Sequence, residues 1–92
     1  MSETQLLRLI ETYEHLATEL HSHRLEVWDE LVRVAPEVAS EILDLFTTRD
    51  AAAIWATASL KGAQVSPAKL IVEGNLADVM ARIQRAAHGF SA

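Results

Sequence analysis

The fold of this 92-residue chain is decided by residues 4–35, TQLLRLIETYEHLATELHSHRLEVWDELVRVA. This segment contains neither Gly nor Pro, so it can form one long helix. Ser2 and Gln5 have the spacing of a capping box, which predicts that a helix begins here. Pro36 predicts where it ends, because proline interrupts a helix and is favoured at the first position of the next one. Apolar residues recur at helical spacing along one face of this segment: Leu6, Leu9, Tyr13, Leu16, Leu20 and Val27, widened by Leu7, Ile10, Ala17, Trp28 and Leu31.

The predicted helix is too long for the body of so small a protein. A continuous helix over residues 4–35 spans about 50 Å, whereas a compact chain of this length is only about 30 Å across. Two alternatives follow from this mismatch. The helix breaks near residues 21–23, which are poor in strong helix formers, or its surplus length pairs with another chain.

The second alternative predicts a homo-oligomer, and it assigns an oligomerisation surface to the apolar face. That surface consists of Leu6, Leu9, Tyr13, Leu16, Leu20 and Val27. His23 and Glu30 fall at seam positions of such a pair, where polar residues set the register at a cost in stability. Independently of pairing, His23 occupies a position within the stripe of the first helix, so we expect it to be a partly buried polar interruption.

Helix-start and helix-stop residues divide the remainder of the chain. They predict an all-α protein, a single domain over residues 1–92 with five helices, or six if the first one breaks. No segment alternates with the period of a strand over more than a few residues. The long amphipathic helix occupies residues 1–35, and the compact helical region that follows has predicted helices over residues 36–46, 49–61, 66–73 and 76–88, with Gly62, Gly74 and Gly89 at helix ends.

Several positions in these helices have predicted packing roles. The Ala-rich third helix is a candidate central helix, because small side chains allow neighbouring helices to approach closely. Trp28 and Trp55 are predicted core residues. Phe90 lies beyond the last cap, so its ring either folds back over the final helix turn or inserts into a partner.

Charge and cysteine content restrict the function classes. Residues 1–46 carry three basic and ten acidic residues, a net charge of −7, whereas residues 47–92 carry five basic and three acidic residues, a net charge of +2. This distribution disfavours autonomous nucleic-acid binding. The chain has no Cys, its N-terminus is acidic and no apolar run reaches transmembrane length, so we expect a cytoplasmic protein that does not enter a membrane.

The polar residues do not form a recognisable site for chemistry. His21 and His23 are two residues apart, which places them on nearly opposite sides of a helix, whereas metal-binding pairs are three or four apart. Glu26, Asp29 and Glu30 have the spacing of ordinary surface ion pairs with Arg33. The sequence has no nucleotide or phosphate-loop motif. We predict no enzyme activity, no catalytic residue, no cofactor and no metal.

The C-terminal half resembles the toxin-binding domain of the Xre/MbcA/ParS-type antitoxins. The resemblance covers about residues 45–92 and rests on an Ala-rich helix with a Trp, a turn leading to Ser-Pro, a Gly, an amphipathic helix and a His-Gly near the end. In this chain these are Leu45-Phe46, Asp50-Ala51-Ala52-Ala53-Ile54-Trp55, Ser66-Pro67-Ala68-Lys69-Leu70-Ile71, Gly74, Val79 and Ala87-His88-Gly89-Phe90-Ser91-Ala92.

The resemblance implies a non-catalytic, bacterial antitoxin that blocks the active site of a partner toxin, commonly an NAD-consuming RES-type enzyme. By position, the implied partner-binding residues are Ser66, Pro67, Gly74, His88, Gly89 and Phe90. Such antitoxins usually also carry an N-terminal helix-turn-helix for DNA, which the acidic first half of this chain lacks. The alternative, from the residues themselves, is a homo-oligomeric scaffold or adaptor built on the first helix.

Overall fold

A computed structural model describes residues 2–59 and 65–89, and the prediction of an all-α protein is confirmed for them. Those residues contain five helices and no strand. The helices are α1 (Glu3–Val34), α2 (Pro36–Phe46), α3 (Arg49–Thr57), α4 (Pro67–Val72) and α5 (Leu76–Gly89).

The first helix is a single, unbroken element of 32 residues. Its start is as predicted, because the Ser2 hydroxyl accepts a hydrogen bond of 3.1 Å from the Gln5 amide. The expected alternative of a break at residues 21–23 is wrong, and local contacts explain why. His21 lies 2.6 Å from the Asp50 carboxylate of α3, so the turn with the weakest intrinsic helix propensity is fixed to its neighbour.

The third helix lies at the centre of the packed body, in contact with α1, α2 and α4. Ala52, Ala53 and Ala56 are fully buried, which agrees with the predicted role of its alanines. The rest of the core is aliphatic with one Trp: Trp28, Leu31, Ala39, Ile42, Leu70, Ile71, Val79 and Ile83. Trp55 is only half-buried and stacks against Phe46 with ring centroids 5.3 Å apart.

The predicted end of the third helix is wrong, because α3 ends at Thr57 and Ala58 is already extended. The Thr57 hydroxyl donates to the Ala53 carbonyl at 2.8 Å, and the Ala58 amide bonds to Trp55. Thr and Ser side chains compete with the helical backbone for hydrogen bonds, so residues 57–59 favour an early stop. The predicted cap at Gly62 lies outside the described residues.

The remaining helix ends lie close to the predicted bounds. Thr48 and Ser66 each accept a hydrogen bond from the third residue of the following turn, at 3.1 and 3.3 Å. Gly74 has a positive φ of 82° after α4, the conformation in which glycine is favoured. α5 includes Gly89 as its last residue, one residue beyond the predicted end. Arg82 of α5 donates to the Val65 carbonyl at 2.9 Å.

The molecule is elongated because α1 extends beyond the other helices. Its radius of gyration is 16.1 Å and its longest dimension is 50 Å, compared with a radius near 12 Å for a compact chain of this length. All described residues from 2 to 20 are exposed, whereas residues 21–34 include the buried Trp28 and Leu31. Only the second half of α1 is therefore part of the packed body.

Candidate protein-interaction surface

The protruding half of α1 carries an exposed apolar face that we call the N-terminal stripe. Its side chains keep between 42% and 72% of their surface exposed, with Tyr13 the most exposed. The stripe consists of Leu6, Leu7, Leu9, Ile10, Tyr13, Leu16 and Leu20. Five of the six predicted oligomerisation residues lie in it.

The N-terminal stripe is larger than the apolar surface that a monomer usually leaves exposed. Contiguous apolar patches on soluble monomers rarely exceed a few hundred Å². Seven large side chains, each about half exposed, approach the roughly 800 Å² that one partner contributes to a standard protein interface. Moreover, a helix segment with no tertiary contact is only marginally stable in water. The stripe therefore has the size and the composition of an interface.

A second apolar feature, which we call the α1–α4 groove, begins where the stripe ends. It has a volume of about 310 Å³, and nearly all of its lining surface is apolar. The groove is lined by His23, Glu26, Val27, Glu30, Leu31 and Val34 of α1, and by Ala68, Ile71 and Val72 of α4. Val72 stands at its edge with 83% of its surface exposed.

The stripe and the groove form one continuous surface along α1. Residues 6, 13, 20, 27 and 34 are Leu, Tyr, Leu, Val and Val, a strict seven-residue spacing. The first three lie in the N-terminal stripe, and Val27 and Val34 line the groove. Seven-residue spacing of apolar residues is the pattern of helices that pair lengthwise. Val27, the sixth predicted oligomerisation residue, is half-buried at the point where the two features meet.

The groove could not be predicted from the sequence, because the groove depends on the position of α4 relative to α1. The only signal within α1 was Val34, which extends the seven-residue spacing by one step. Nothing local in the sequence indicates that Ala68 and Ile71 lie beside that step.

Two predictions about the polar residues of α1 need correction. His23 is not partly buried: 72% of its side chain is exposed at the rim of the groove, where it lies 3.1 Å from Glu26. The groove beside it is open, so no neighbouring helix covers the imidazole. Asp29 does not pair with Arg33, because Arg49 of α3 is closer and binds it through two nitrogens at 3.0 and 2.6 Å. Glu30 pairs with Arg33 as predicted.

These two arginine pairs determine the charge of the acidic side of α1. Hydrogen bonds from the Arg49 guanidinium lower the pKa of Asp29 below its ordinary value. Hydrogen bonds from Arg33 lower the pKa of Glu30 in the same way. Glu30 lines the groove, so one edge of the groove carries the Glu30–Arg33 ion pair throughout the neutral and mildly acidic range.

The pairs predict a selective change in carboxyl titration. Asp29 has a lowered pKa in the folded state, so its contribution to stability is present above its ordinary pKa of about 3.9 and is lost as the pH falls through the folded value. Arg49→Gln should raise the pKa of Asp29 and leave that of Glu30 unchanged. Arg33→Gln is the matched control and should raise the pKa of Glu30 while leaving that of Asp29 unchanged. Carboxyl-carbon NMR titration measures both pKa values, and equal pKa shifts of the two carboxyl groups in the two variants would contradict the pairing.

The residues implied by the antitoxin resemblance differ in how far they are exposed. Ser66 caps α4 and is half-buried, Pro67 is fully buried, and Gly74 lies in the exposed turn after α4. His88 is exposed on the last turn of α5, which ends at Gly89. Phe90 lies outside the described residues. Because its own side chain is buried, Pro67 can influence a partner-binding surface only through the backbone of α4.

The described residues contain neither a cluster of metal-binding side chains nor a membrane-spanning helix. Across residues 2–59 and 65–89, the His, Asp and Glu side chains form no group of three or more that could hold a metal ion. None of the helices described combines the length and hydropathy needed to cross a membrane. The features that stand out are the N-terminal stripe and the α1–α4 groove.

No known protein family, curated protein or solved structure matches this chain.

Proposed function

We propose that this protein is a non-catalytic protein–protein interaction module that pairs with a second copy of itself through α1. The observation that carries the proposal is the exposure of the N-terminal stripe along an unbroken helix. Of the two alternatives for an oversized first helix, the break does not occur. The unbroken helix therefore supports pairing as the way in which the surplus length leaves water.

The energetic argument supports pairing rather than an isolated helix. Burial of apolar surface stabilises by about 25 cal/mol per Å², whereas every residue in the first half of α1 is exposed in the monomer. Association of two copies buries the stripe of both chains at once, so each gains a tertiary partner for the same segment. A closed two-fold dimer is also the commonest arrangement of soluble oligomers.

The mass of the protein in solution tests the proposal. Light scattering over a range of concentrations should give twice the chain mass of 10.2 kDa at high concentration and a lower mean mass on dilution. A mass equal to one chain at the highest concentration would contradict self-pairing.

A second candidate function, suggested by the resemblance to Xre/MbcA/ParS-type antitoxins, is neutralisation of a partner toxin. One observation favours it: α4 lies within the segment that carries the resemblance and turns Ala68 and Ile71 to the groove, with Val72 exposed at its edge. An apolar helix face of this kind provides the buried centre of many protein interfaces. The two candidates are compatible where self-pairing uses the N-terminal stripe, which shares no residue with this face of α4. A second copy in the groove would instead compete with a toxin for that face.

The C-terminal residues provide the test of this second candidate. If the chain is an antitoxin, deletion of residues 89–92 should abolish protection in cells that co-express a RES-type toxin encoded beside it, because an aromatic anchor such as Phe90 often dominates an interface. A matched control replaces Ser91 with Ala and should protect fully. Full protection by the deletion variant would remove the C-terminal end from the mechanism, and lack of protection by the intact chain would contradict this candidate.

A further inference from the structure

We infer that the α1–α4 groove receives the N-terminal stripe of a second copy, with the two α1 helices antiparallel. The inference rests on the proposed self-pairing and specifies its geometry. Each chain offers the N-terminal stripe on residues 6–20 and the α1–α4 groove beside residues 23–34. An antiparallel two-fold pair places each stripe in the groove of the other chain, so one symmetric interface covers both stripes and both grooves.

The area of the two features favours a second copy as the occupant. The stripe alone offers an area close to the roughly 800 Å² per partner of a standard interface. Stripe and groove lie on the same helix and share one seven-residue spacing, from Leu6 to Val34. The stripe precedes the groove along α1. A second α1 that runs in the opposite direction therefore places its groove beside the first stripe and its stripe beside the first groove.

The positions of the stripe and the groove along α1 favour the antiparallel direction over the parallel one. In a parallel pair, equivalent positions face each other, so stripe would meet stripe and both grooves would remain open. A parallel pair would also bring the two bulky ends together. The antiparallel pair places each stripe beside the groove of the other chain, and Glu30 at the groove edge keeps its ion pair with Arg33.

Spin-label distances test the direction of pairing, because the natural sequence has no Cys and one introduced Cys gives one label per chain. Glu19→Cys lies near the midpoint of an antiparallel pair, so its two labels should be within about 20 Å. Gln5→Cys lies at the far end, and at 1.5 Å per residue its two labels should be more than about 35 Å apart. In a parallel pair both variants would give the short distance, since paired helices lie about 8–10 Å apart.

The outcomes separate this inference from the proposed function. A short distance for Glu19→Cys with a long distance for Gln5→Cys supports the antiparallel pair. Short distances for both variants would leave self-pairing intact and overturn the direction. A dimeric mass without a short distance at residue 19 would also overturn it. Monomeric mass would contradict the proposed function itself.

A second pair of variants tests the groove rather than the direction. Val72 is exposed at the groove edge, so Val72→Arg should leave the monomer folded and raise the dimer dissociation constant by at least about tenfold through a charge in an apolar contact. Ile54→Arg is the matched control, because Ile54 is exposed on α3 and does not line the groove. An unchanged dissociation constant for Val72→Arg, with the same value for the control, would overturn occupation of the groove.

Discussion

Replacing Leu9 and Leu16 together with Glu is expected to convert the dimer into a monomer. Both side chains are about half exposed in the single chain and lie outside its buried core, so the substitutions should leave the folded body intact. In the dimer each copy would bury two unpaired carboxylates in an apolar seam, which costs far more than the loss of the leucines. We expect the dissociation constant to rise by at least about 100-fold, since each 1.4 kcal/mol is tenfold. Sedimentation equilibrium measures the change.

The matched control adds the same two charges to the opposite, polar face of the helix. Thr18→Glu with Ser22→Glu changes the net charge equally, at exposed positions outside the stripe and the groove. This variant should remain a dimer with a dissociation constant within a few-fold of the original. Equal weakening by both double variants would show that charge alone, rather than burial of the N-terminal stripe, governs association.

Ile42→Ala is expected to destabilise the folded body by about 2–5 kcal/mol, the usual cost of removing a large aliphatic side chain from a core. Ile42 is fully buried in α2, within the cluster that includes Trp28 of α1 and the alanines of α3. Small domains have a total stability of only about 5–15 kcal/mol, so the variant should be partly unfolded well below the melting temperature of the parent chain. Urea denaturation in the Leu9→Glu, Leu16→Glu background measures this without a contribution from dimerisation.

The same substitution at Ile54 provides the control. Ile54 has 46% of its surface exposed on α3, and truncation of an exposed side chain usually changes stability by no more than about 0.5 kcal/mol. Equal losses of stability in the two variants would contradict the assignment of Ile42 to the core and Ile54 to the surface.

Much of the fold was predictable because its helix ends are encoded locally. Ser2, Thr48 and Ser66 cap helices with their own hydroxyl groups, and Pro36 stands at the first position of α2. Each of these signals lies within a few residues of the boundary that it determines, so periodicity and capping rules suffice. The end of α3 was missed because the Ala-rich run looked helical beyond Thr57, while the Thr57 hydroxyl bonds to the carbonyls of Ala53 and Ile54.

The candidate surface was predictable only in part, because one of its two sides comes from a distant segment. The stripe follows from the spacing of Leu and Tyr within α1, and the structure leaves it exposed. The groove needs α4 beside α1, and the exposure of His23 follows from that arrangement. Likewise, Asp29 pairs with Arg49 through a contact twenty residues away in sequence, which helical spacing cannot indicate.

Hydrogen exchange over residues 3–20 tests most directly whether the N-terminal stripe is covered by a second chain. A helix segment without tertiary contacts opens readily, whereas a paired one opens only with the dimer. We predict slow exchange of these amides in the concentrated parent protein, and fast exchange in the Leu9→Glu, Leu16→Glu variant, with unchanged protection around Ile42 in both. Equally fast exchange of residues 3–20 in the two proteins would contradict the account.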